Sequence, residues 1–183
     1  MLPQTTKRYA LNISAVIGEP IRLVGGDLVA AGGPVGSVSL RVPGVLAHMV
    51  SANGGWTLTR RRRFGWDLLI ERQDGQHVGW YEGWRWLAGG TISMTDGTQA
   101  ELRRDRRRSP LFGWKLQATD TGGRYAEIHC PGRLSKRSIT LSLQTLPDTA
   151  FADVVVLTSC AVLRLQQEAA NLASMVHPAP AGG

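Results

Sequence analysis

The chain has 183 residues, 43% of them hydrophobic, which suits one domain with a sizeable core. Its net charge of +7 at pH 7 favours an anionic partner such as phospholipid, nucleic acid or a phosphorylated ligand. Arginine outnumbers lysine 18 to 3, a bias that a GC-rich genome also produces, so the positions of the arginines carry more information than their number.

Neither the cysteines nor the first residues indicate an exported protein. Cys130 and Cys160 form no CxxC motif and have no histidine at metal-ligand spacing, which argues against a disulfide scaffold or a metal site. We expect two buried, reduced thiols and no cofactor. The segment from Met1 to Ser14 is polar where a signal peptide is apolar, so the expected location is the cytoplasm, with peripheral contact to a membrane.

Turn signals divide the first 145 residues into short segments. Pairs containing glycine supply the positive φ angles that tight hairpins require, and they recur along the chain. They are Gly25-Gly26, Asn53-Gly54, Asp74-Gly75, Asp96-Gly97 and Gly122-Gly123. The spacing predicts antiparallel strands joined by tight turns.

Between the turns, apolar and polar residues alternate. In the segment "WDLLIER", Trp66, Leu68 and Ile70 share one face, as period two requires of a strand. Two further triplets follow the same rule: Val38, Leu40 and Val42, and Ile139, Leu141 and Leu143. Each strand is therefore predicted to have one buried and one solvated face.

A hydrophobic helix is predicted over about residues 150–172, begun by a cap at Asp148 or Thr149. Its uncharged run, Val154 to Leu163, has ten residues where a bilayer span needs about 20. The run is apolar on all sides, so the helix must be enclosed by protein. Further on, one apolar stripe remains, which indicates that the last turns leave the core. Residues 174–183 are predicted to be a disordered tail.

About a dozen short strands before one enclosed helix predict a closed antiparallel sheet wrapped around that helix, because closure removes exposed strand edges. Residues 1–173 would form this single domain. A two-sheet sandwich with the helix capping one end is the alternative.

The order of these features resembles the tubby C-terminal-like superfamily, which includes phospholipid scramblases and LURP-one-related proteins. Strand segments with an aromatic residue and an Asp-Gly turn, "WDLLIERQDGQHVGWY", "ISMTDGTQAEL" and "GWKLQATDTGGRYAEI", precede the terminal helix "DVVVLTSCAVLRL". The resemblance covers about residues 6–172.

This resemblance implies a twelve-stranded β-barrel around a central C-terminal helix. It also implies phosphoinositide binding as in tubby proteins, membrane association as in scramblases, and no established enzymatic activity as in LURP-one-like members. The chain lacks the palmitoylation-type cysteine cluster of scramblases, so scramblase activity is not implied. No tubby lipid-binding residue aligns with a particular position.

Two arginine runs are candidate anion-binding loops. The first precedes Phe64-Gly65, which favours a loop, and the second, interrupted by Asp105 and ended by Ser109-Pro110, is predicted to be a connection, since that carboxylate is costly to bury. Guanidinium groups bind phosphate oxygens in a bidentate manner. A solvated surface run is the alternative. The arginines are Arg60, Arg61, Arg62 and Arg63, and Arg103, Arg104, Arg106, Arg107 and Arg108.

Tryptophans accompany basic residues in the segment "GWYEGWRWLAGG". Trp84, Arg85 and Trp86 suit base stacking or a lipid interface. The commoner role of a barrel tryptophan, including Trp80, is to fill the core.

Catalytic signatures are weak. GxSxG, HExxH and P-loop motifs do not occur, and the neighbouring His129 and Cys130 point to opposite faces of a strand. The sequence therefore predicts a binding module without enzymatic activity that recognises anionic phospholipid headgroups or another phosphorylated ligand. A nucleic-acid-binding module is the first alternative, although no RNP, KH or helix-turn-helix pattern supports it. A scaffold that docks a protein partner is the second.

Overall fold

The computed structural model describes residues 9, 11–40, 44–62, 65–84, 89–105, 113–118, 123–130, 139–145 and 149–176. A short 3-10 helix, Ile13–Val16, precedes twelve strands and one helix. The elements are β1 (Pro20–Val24), β2 (Asp27–Ala30), β3 (Gly33–Leu40), β4 (Ala47–Ser51), β5 (Gly54–Arg60), β6 (Asp67–Arg72), β7 (His77–Gly83), β8 (Gly89–Met94), β9 (Gln99–Arg104), β10 (Gly113–Ala118), β11 (Arg124–His129), β12 (Ile139–Leu143) and α1 (Thr149–Val176).

The strands form a closed antiparallel barrel. Each strand pairs with the next in the chain, and β12 returns to pair with β1, with Ile21 opposite Leu141 and Leu23 opposite Ile139. Closure leaves none of the twelve strands with an unpaired edge. This confirms the predicted barrel and excludes the sandwich.

The predicted alternation is clear in β12. Ile139, Leu141 and Leu143 are buried, whereas Ser142 on the other face is exposed. Leu68 and Ile70 of β6 are also buried, while Trp66, which lies just before that strand, is only half-buried. Leu40 is half-buried, and Val42 lies outside the described residues. Period two therefore decides which face of each strand enters the core.

Helix α1 fills the barrel. Every residue from Phe151 to Leu163 is buried, as the continuous apolar run predicts. The helix lies against β3 and β4, and Gly36 of β3 explains why it fits there. A Cβ atom at Gly36 would lie 3.3 Å from the Cδ2 atom of Leu157 and 3.0 Å from the carbonyl oxygen of Val50.

The helix ends later than the sequence predicts. It continues to Val176, so residues 174–176 are helical, whereas the sequence places them in a disordered tail. Alanine, leucine and methionine in "NLASM" are strong helix formers, and Pro178 disfavours helical backbone at the residue before it. Residues 177–183 and the candidate cap Asp148 lie outside the described residues.

The barrel has two different ends, because antiparallel strands alternate in direction. Odd-numbered strands finish at the same end, and the even-numbered strands finish at the other. The predicted turns at Asn53-Gly54, Asp74-Gly75 and Asp96-Gly97 all follow even-numbered strands. We call their end the turn end. The opposite end, where Val24, Arg60, Gly83 and Arg104 close their strands, is the basic end.

Polar contacts at the turn end fix the start of α1. Asp153 is fully buried, and its carboxylate accepts hydrogen bonds from the Ser51 hydroxyl and, at 2.9 Å, from the Asn53 side-chain amide. Both donors lie where β4 turns into β5. Midway along the barrel, the Oγ1 atom of Thr158 lies 3.9 Å from the sulfur of Met49. The helix therefore runs from the turn end towards the basic end.

Burial makes the barrel sensitive to the charge of Asp153. Desolvation raises the pKa of this carboxyl above its usual 3.8, although the hydrogen bonds from Ser51 and Asn53 oppose the rise. A raised folded-state pKa contributes stability below the unfolded-state value, and this contribution is lost as pH rises through the folded-state value. The variant Asp153→Asn keeps an acceptor oxygen but cannot ionise.

We expect the melting temperature of Asp153→Asn to gain on that of the wild type as pH rises above about 4, the ordinary range of an aspartate. Thermal melts of both proteins between pH 4 and pH 8 measure the difference. A difference that stays constant across this range would show that Asp153 does not ionise with an altered pKa in the folded barrel.

Both cysteines are buried free thiols, as predicted. Desolvation raises the pKa of Cys130 to about 12 and also raises the pKa of Cys160, which depresses the reactive thiolate form. We expect neither thiol to react with Ellman's reagent at pH 8 until denaturant unfolds the barrel, when two thiols should react per chain. Rapid reaction of one thiol in the native protein would contradict this expectation.

Candidate anion-binding site

The first arginine run begins in a strand and continues into a connection. Arg60 is the last residue of β5, and the backbone N–H of Arg61 donates to the carbonyl oxygen of Asp67 at 2.9 Å, which bends the chain back towards β6. The guanidinium of Arg62 lies 3.4 Å from the Asp67 carboxylate and remains 71% exposed. Within the described part of the chain, Arg61 is exposed and has no carboxylate partner.

The second run begins inside the sheet, which corrects one prediction. Arg103 and Arg104 are the last two residues of β9 and are not part of a connection, because β8 and β10 extend the pairing on both sides. Arg103 is paired with Glu101, at 3.0 Å between Nε and Oε2, and is 54% exposed. Among the described residues, Arg104 has no carboxylate partner.

Two tryptophans hold these arginines by cation–π contacts. The guanidinium carbon of Arg103 lies 5.1 Å from the centre of the Trp84 ring, and that of Arg104 lies 6.0 Å from the centre of the Trp114 ring. Such contacts are attractive by about 0.5–1 kcal/mol at exposed sites. They hold the two charges at the basic end without neutralising them.

Trp84 is set in place by Gly89. The backbone N–H of Trp84 donates to the carbonyl oxygen of Gly89 at 2.8 Å, which continues the pairing of β7 and β8 beyond Gly83. Gly89 has φ of 138°, and a Cβ atom there would lie 2.0 Å from the carbonyl oxygen of Leu102. Only glycine allows β8 to come this close to β9.

The tryptophans divide between core and surface differently from the prediction. Trp84 and Trp80 are half-buried, with Trp80 on the outer wall of β7 stacked against His77. The buried tryptophans of the described chain are Trp56 and Trp114, because their positions in β5 and β10 face inwards. Strand parity, and not aromatic clustering, decides which tryptophans enter the core.

The burial of Asp105 also differs from the prediction. The sequence predicts an exposed carboxylate among five arginines, whereas Asp105 is buried. Its carboxylate lies 3.1 Å from the ammonium of Lys115 on the neighbouring strand, and its backbone N–H donates to the carbonyl oxygen of Gly113 at 2.8 Å. An ion pair with Lys115 lowers the cost of burying this charge.

Six of the predicted site residues lie outside the described residues. They are Arg63, Arg85, Trp86, Arg106, Arg107 and Arg108. The other six, Arg60, Arg61, Arg62, Trp84, Arg103 and Arg104, all lie at the basic end, which the sequence analysis did not foresee. Counting strands reveals it: β9 comes four strands after β5, an even number, so the two strands run in the same direction and finish at the same end.

The two runs do not form one pocket. β5 and β9 are four strands apart in the barrel, which at about 4.8 Å per strand is about 19 Å along the rim. This separation exceeds twice the Debye length of about 8 Å at physiological ionic strength. Each run therefore acts on an anion largely by itself.

A shallow groove near the basic end was missed by sequence reasoning. It has a volume of about 290 Å³ and lies over β10, β11 and β12. Its charges are already paired, Asp105 with Lys115 and Glu127 with Arg124. The groove therefore offers no uncompensated charge to a ligand. Its lining residues are Asp105, Gly113, Trp114, Glu127, Ile128, His129, Thr140, Leu141 and Ser142.

The described part of the chain contains no group of three or more histidine, cysteine, aspartate or glutamate residues placed to hold a metal ion. His129 is exposed and Cys130 is buried, so these neighbours face opposite ways, as predicted. Among the helices described, none combines the length and the hydropathy that a bilayer span requires.

Comparisons with protein families, curated proteins and solved structures give no match for this chain. The resemblance to the tubby C-terminal-like superfamily therefore stays a prediction.

Proposed function

We propose that this barrel is a binding module that recognises phosphate-bearing anions, such as anionic phospholipid headgroups or another phosphorylated ligand, through the arginines of its basic end. The observation that carries the proposal is that four exposed arginines lie at one end of the barrel and that only two of them have a carboxylate partner in the described chain. They are Arg61, Arg62, Arg103 and Arg104. Arg61 and Arg104 have no carboxylate partner in the described chain. Guanidinium groups in such a setting suit phosphate oxygens.

The charges on the rest of the described surface support this choice of end. At the turn end, Asp74 and Asp96 occupy the hairpins, and each carboxylate accepts hydrogen bonds from its own turn, in which Gln76 and Thr98 are the donors. An anion approaching the turn end meets these carboxylates together with Arg72 and with Arg124, which is paired with Glu127. One approaching the basic end meets arginines.

Nucleic acid is the less favoured ligand. A base stacks on an aromatic ring through its open face, and the Arg103 guanidinium already lies over the Trp84 ring. Trp86, the other predicted stacking platform, lies outside the described residues. Duplex DNA is therefore included in the test as a competing ligand.

Co-sedimentation with vesicles across a salt series tests the proposal. We expect binding to vesicles that contain phosphatidylserine and little binding to phosphatidylcholine alone, because only the first carry the negative charge that attracts arginine. Binding should weaken as salt rises, because salt screens this attraction. Inositol hexakisphosphate serves as a soluble phosphorylated probe. Failure to bind either anionic vesicles or this probe at low salt would overturn the proposal, and tighter binding to duplex DNA than to both would replace it with the nucleic-acid reading.

A further inference from the structure

The exposed large hydrophobic side chains of the described chain are concentrated on one side of the barrel. Ile17, Val24 and Val29 are 44%, 57% and 37% exposed, and all three belong to β1, to β2 or to the turn that leads into β1. Arg22 lies opposite Val29 in the paired strands, and both alternate with buried residues, so they face outwards. We call the outward face of β1 and β2, together with the turn at Ile17, the β1 wall.

The next strand, β3, is partly covered by the segment that precedes the barrel. The hydroxyl of Tyr9 donates a hydrogen bond to the Oγ atom of Ser37 on β3, at 2.8 Å, and Tyr9 is buried. At Gly32, between β2 and β3, a Cβ atom would lie 2.9 Å from the side chain of Leu11. This segment therefore shields part of β3 from water, whereas the apolar side chains of the β1 wall remain exposed.

Two charges of opposite sign accompany these apolar side chains. Glu19, just before β1, and Arg22, within it, are both exposed, and neither has a charged partner in the described chain. Two copies of the wall can satisfy both charges if they meet in antiparallel order, because Glu19 of one copy then faces Arg22 of the other. The midpoint between these two residues in the sequence is also the midpoint between Ile17 and Val24. The same arrangement therefore brings those apolar side chains together.

We propose that the β1 wall is the interface of a weak homodimer, in which two copies of the chain pack face to face about a twofold axis perpendicular to the wall near Pro20. A twofold interface is built from the same surface of both subunits, so each of its contacts occurs twice. The repeated contacts are Glu19 with Arg22 of the other copy and Ile17 with Val24 of the other copy. This inference is independent of the proposed function.

The charges favour the antiparallel arrangement over a parallel one. If the two walls packed with their β1 strands parallel, Arg22 would face Arg22 and Glu19 would face Glu19, and like charges placed together across an interface are unfavourable. The antiparallel arrangement also puts the two basic ends at opposite ends of the dimer. The exposed arginines of those ends therefore stay apart.

The size of the wall predicts a weak, reversible dimer. Strands lie about 4.8 Å apart and rise about 3.3 Å per residue, so the face of β12, β1 and β2 is about 14 Å wide and about 20 Å long. Two such faces bury on the order of 1,000 Å² in total, at the low end for specific protein interfaces. The net charge of +7 on each chain opposes association further. We therefore expect a dissociation constant on the order of 0.1 mM.

Sedimentation equilibrium of the full chain, at concentrations below and above this value, measures the association. Arg22→Glu should weaken it by at least about tenfold, because both ion pairs become repulsions. The double variant Glu19→Arg with Arg22→Glu should restore it, because opposite charges again face each other. Arg72→Glu makes the same charge change at an exposed residue of β6, five strands from β1, and should not weaken the dimer.

Three outcomes of this measurement would overturn the proposal. The first is a chain that stays monomeric at every concentration, which would leave the β1 wall to a different protein. The second is a double variant that associates no better than Arg22→Glu alone. The third is an equal loss in Arg22→Glu and Arg72→Glu, which would show that only total charge matters.

Cross-linking tests the direction of packing. Ile17→Cys and Val24→Cys are prepared as separate proteins, and a short bis-maleimide is added to each protein alone and to their mixture. The native thiols, Cys130 and Cys160, are buried and do not compete for the reagent. Antiparallel packing predicts cross-linked dimers in the mixture and few in either protein alone. Cross-linking of each protein alone as strong as that of the mixture would indicate parallel packing and overturn the proposed interface.

Discussion

Replacing Arg61, Arg62 and Arg104 by serine should weaken binding to anionic vesicles by about 150-fold, since each arginine near such a surface contributes about 1 kcal/mol. These three side chains are exposed at the basic end. Arg103 is left in place because it is both paired with Glu101 and in contact with the Trp84 ring, so its loss would change more of the surface than the loss of Arg62, described in an ion pair, or of Arg104, described in a cation–π contact. Quantitative co-sedimentation at low salt measures the effect.

A control with the same charge change separates position from total charge. Arg22, Arg72 and Arg124 are exposed on the outer wall or at the turn end, and their replacement by serine also lowers the net charge from +7 to +4. We expect less than about a tenfold effect, because charges beyond a Debye length of the surface are largely screened. Equal losses in the two variants would show that only the total charge matters, and would reject the basic end as the site.

Gly89→Ala is expected to destabilise the barrel by about 3–5 kcal/mol, since strained backbone and overpacking each cost about 1–3 kcal/mol. The new Cβ atom would lie 2.0 Å from the carbonyl oxygen of Leu102 and 3.3 Å from the Cα atom of Arg103. Both neighbours are backbone atoms, so β8 and β9 must move apart. Urea unfolding measures the loss.

Gly97→Ala is the matched control for this prediction. Gly97 also has positive φ, 92°, but a Cβ atom there would meet nothing within 4 Å. Its substitution should cost only the conformational strain, about 1–2 kcal/mol. If Gly89→Ala is no more destabilising than Gly97→Ala, then the close approach of β8 to β9 is not a constraint on the fold.

Gly89→Ala should also disturb the candidate site. The Gly89 carbonyl oxygen accepts the hydrogen bond from the Trp84 N–H that fixes the ring beside Arg103. A shift of β8 would move Trp84 away from the guanidinium. Where the variant remains folded, we expect an altered tryptophan emission spectrum and weaker vesicle binding, whereas Gly97→Ala should leave both unchanged.

The candidate site was only partly predictable from the sequence. The arginines stand out as runs, and the residue types indicate phosphate recognition. Their common location at one end follows from the direction of the two strands that carry them. The turn signals mark most of the strand boundaries from which that direction can be counted. The contacts between these side chains could not be predicted in this way. Arg103 contacts Trp84 because β8 pairs with both β7 and β9 and so places the ends of those strands close together. The ion pair of the buried Asp105 with Lys115 depends in the same way on the pairing of neighbouring strands.

The sequence by itself determined the features that depend on local periodicity. Alternation in β12 identified Ile139, Leu141 and Leu143 as core, and the apolar run Val154–Leu163 required an enclosed helix. A strand repeats every two residues and a helix every 3.6, so neighbouring residues alone reveal which faces must leave water. Closure of the barrel follows from the same need to remove strand edges.

Only the tertiary structure decided the pairings between distant residues. Asp153 accepts its hydrogen bond from Ser51, 102 residues earlier, and the buried Asp105 finds its ion-pair partner on the neighbouring strand. The rim that carries Arg61 and Arg104 exists only when the sheet has closed. Such contacts are set by strand order and register over long separations in the chain, and the local alternation of residues carries no information about them.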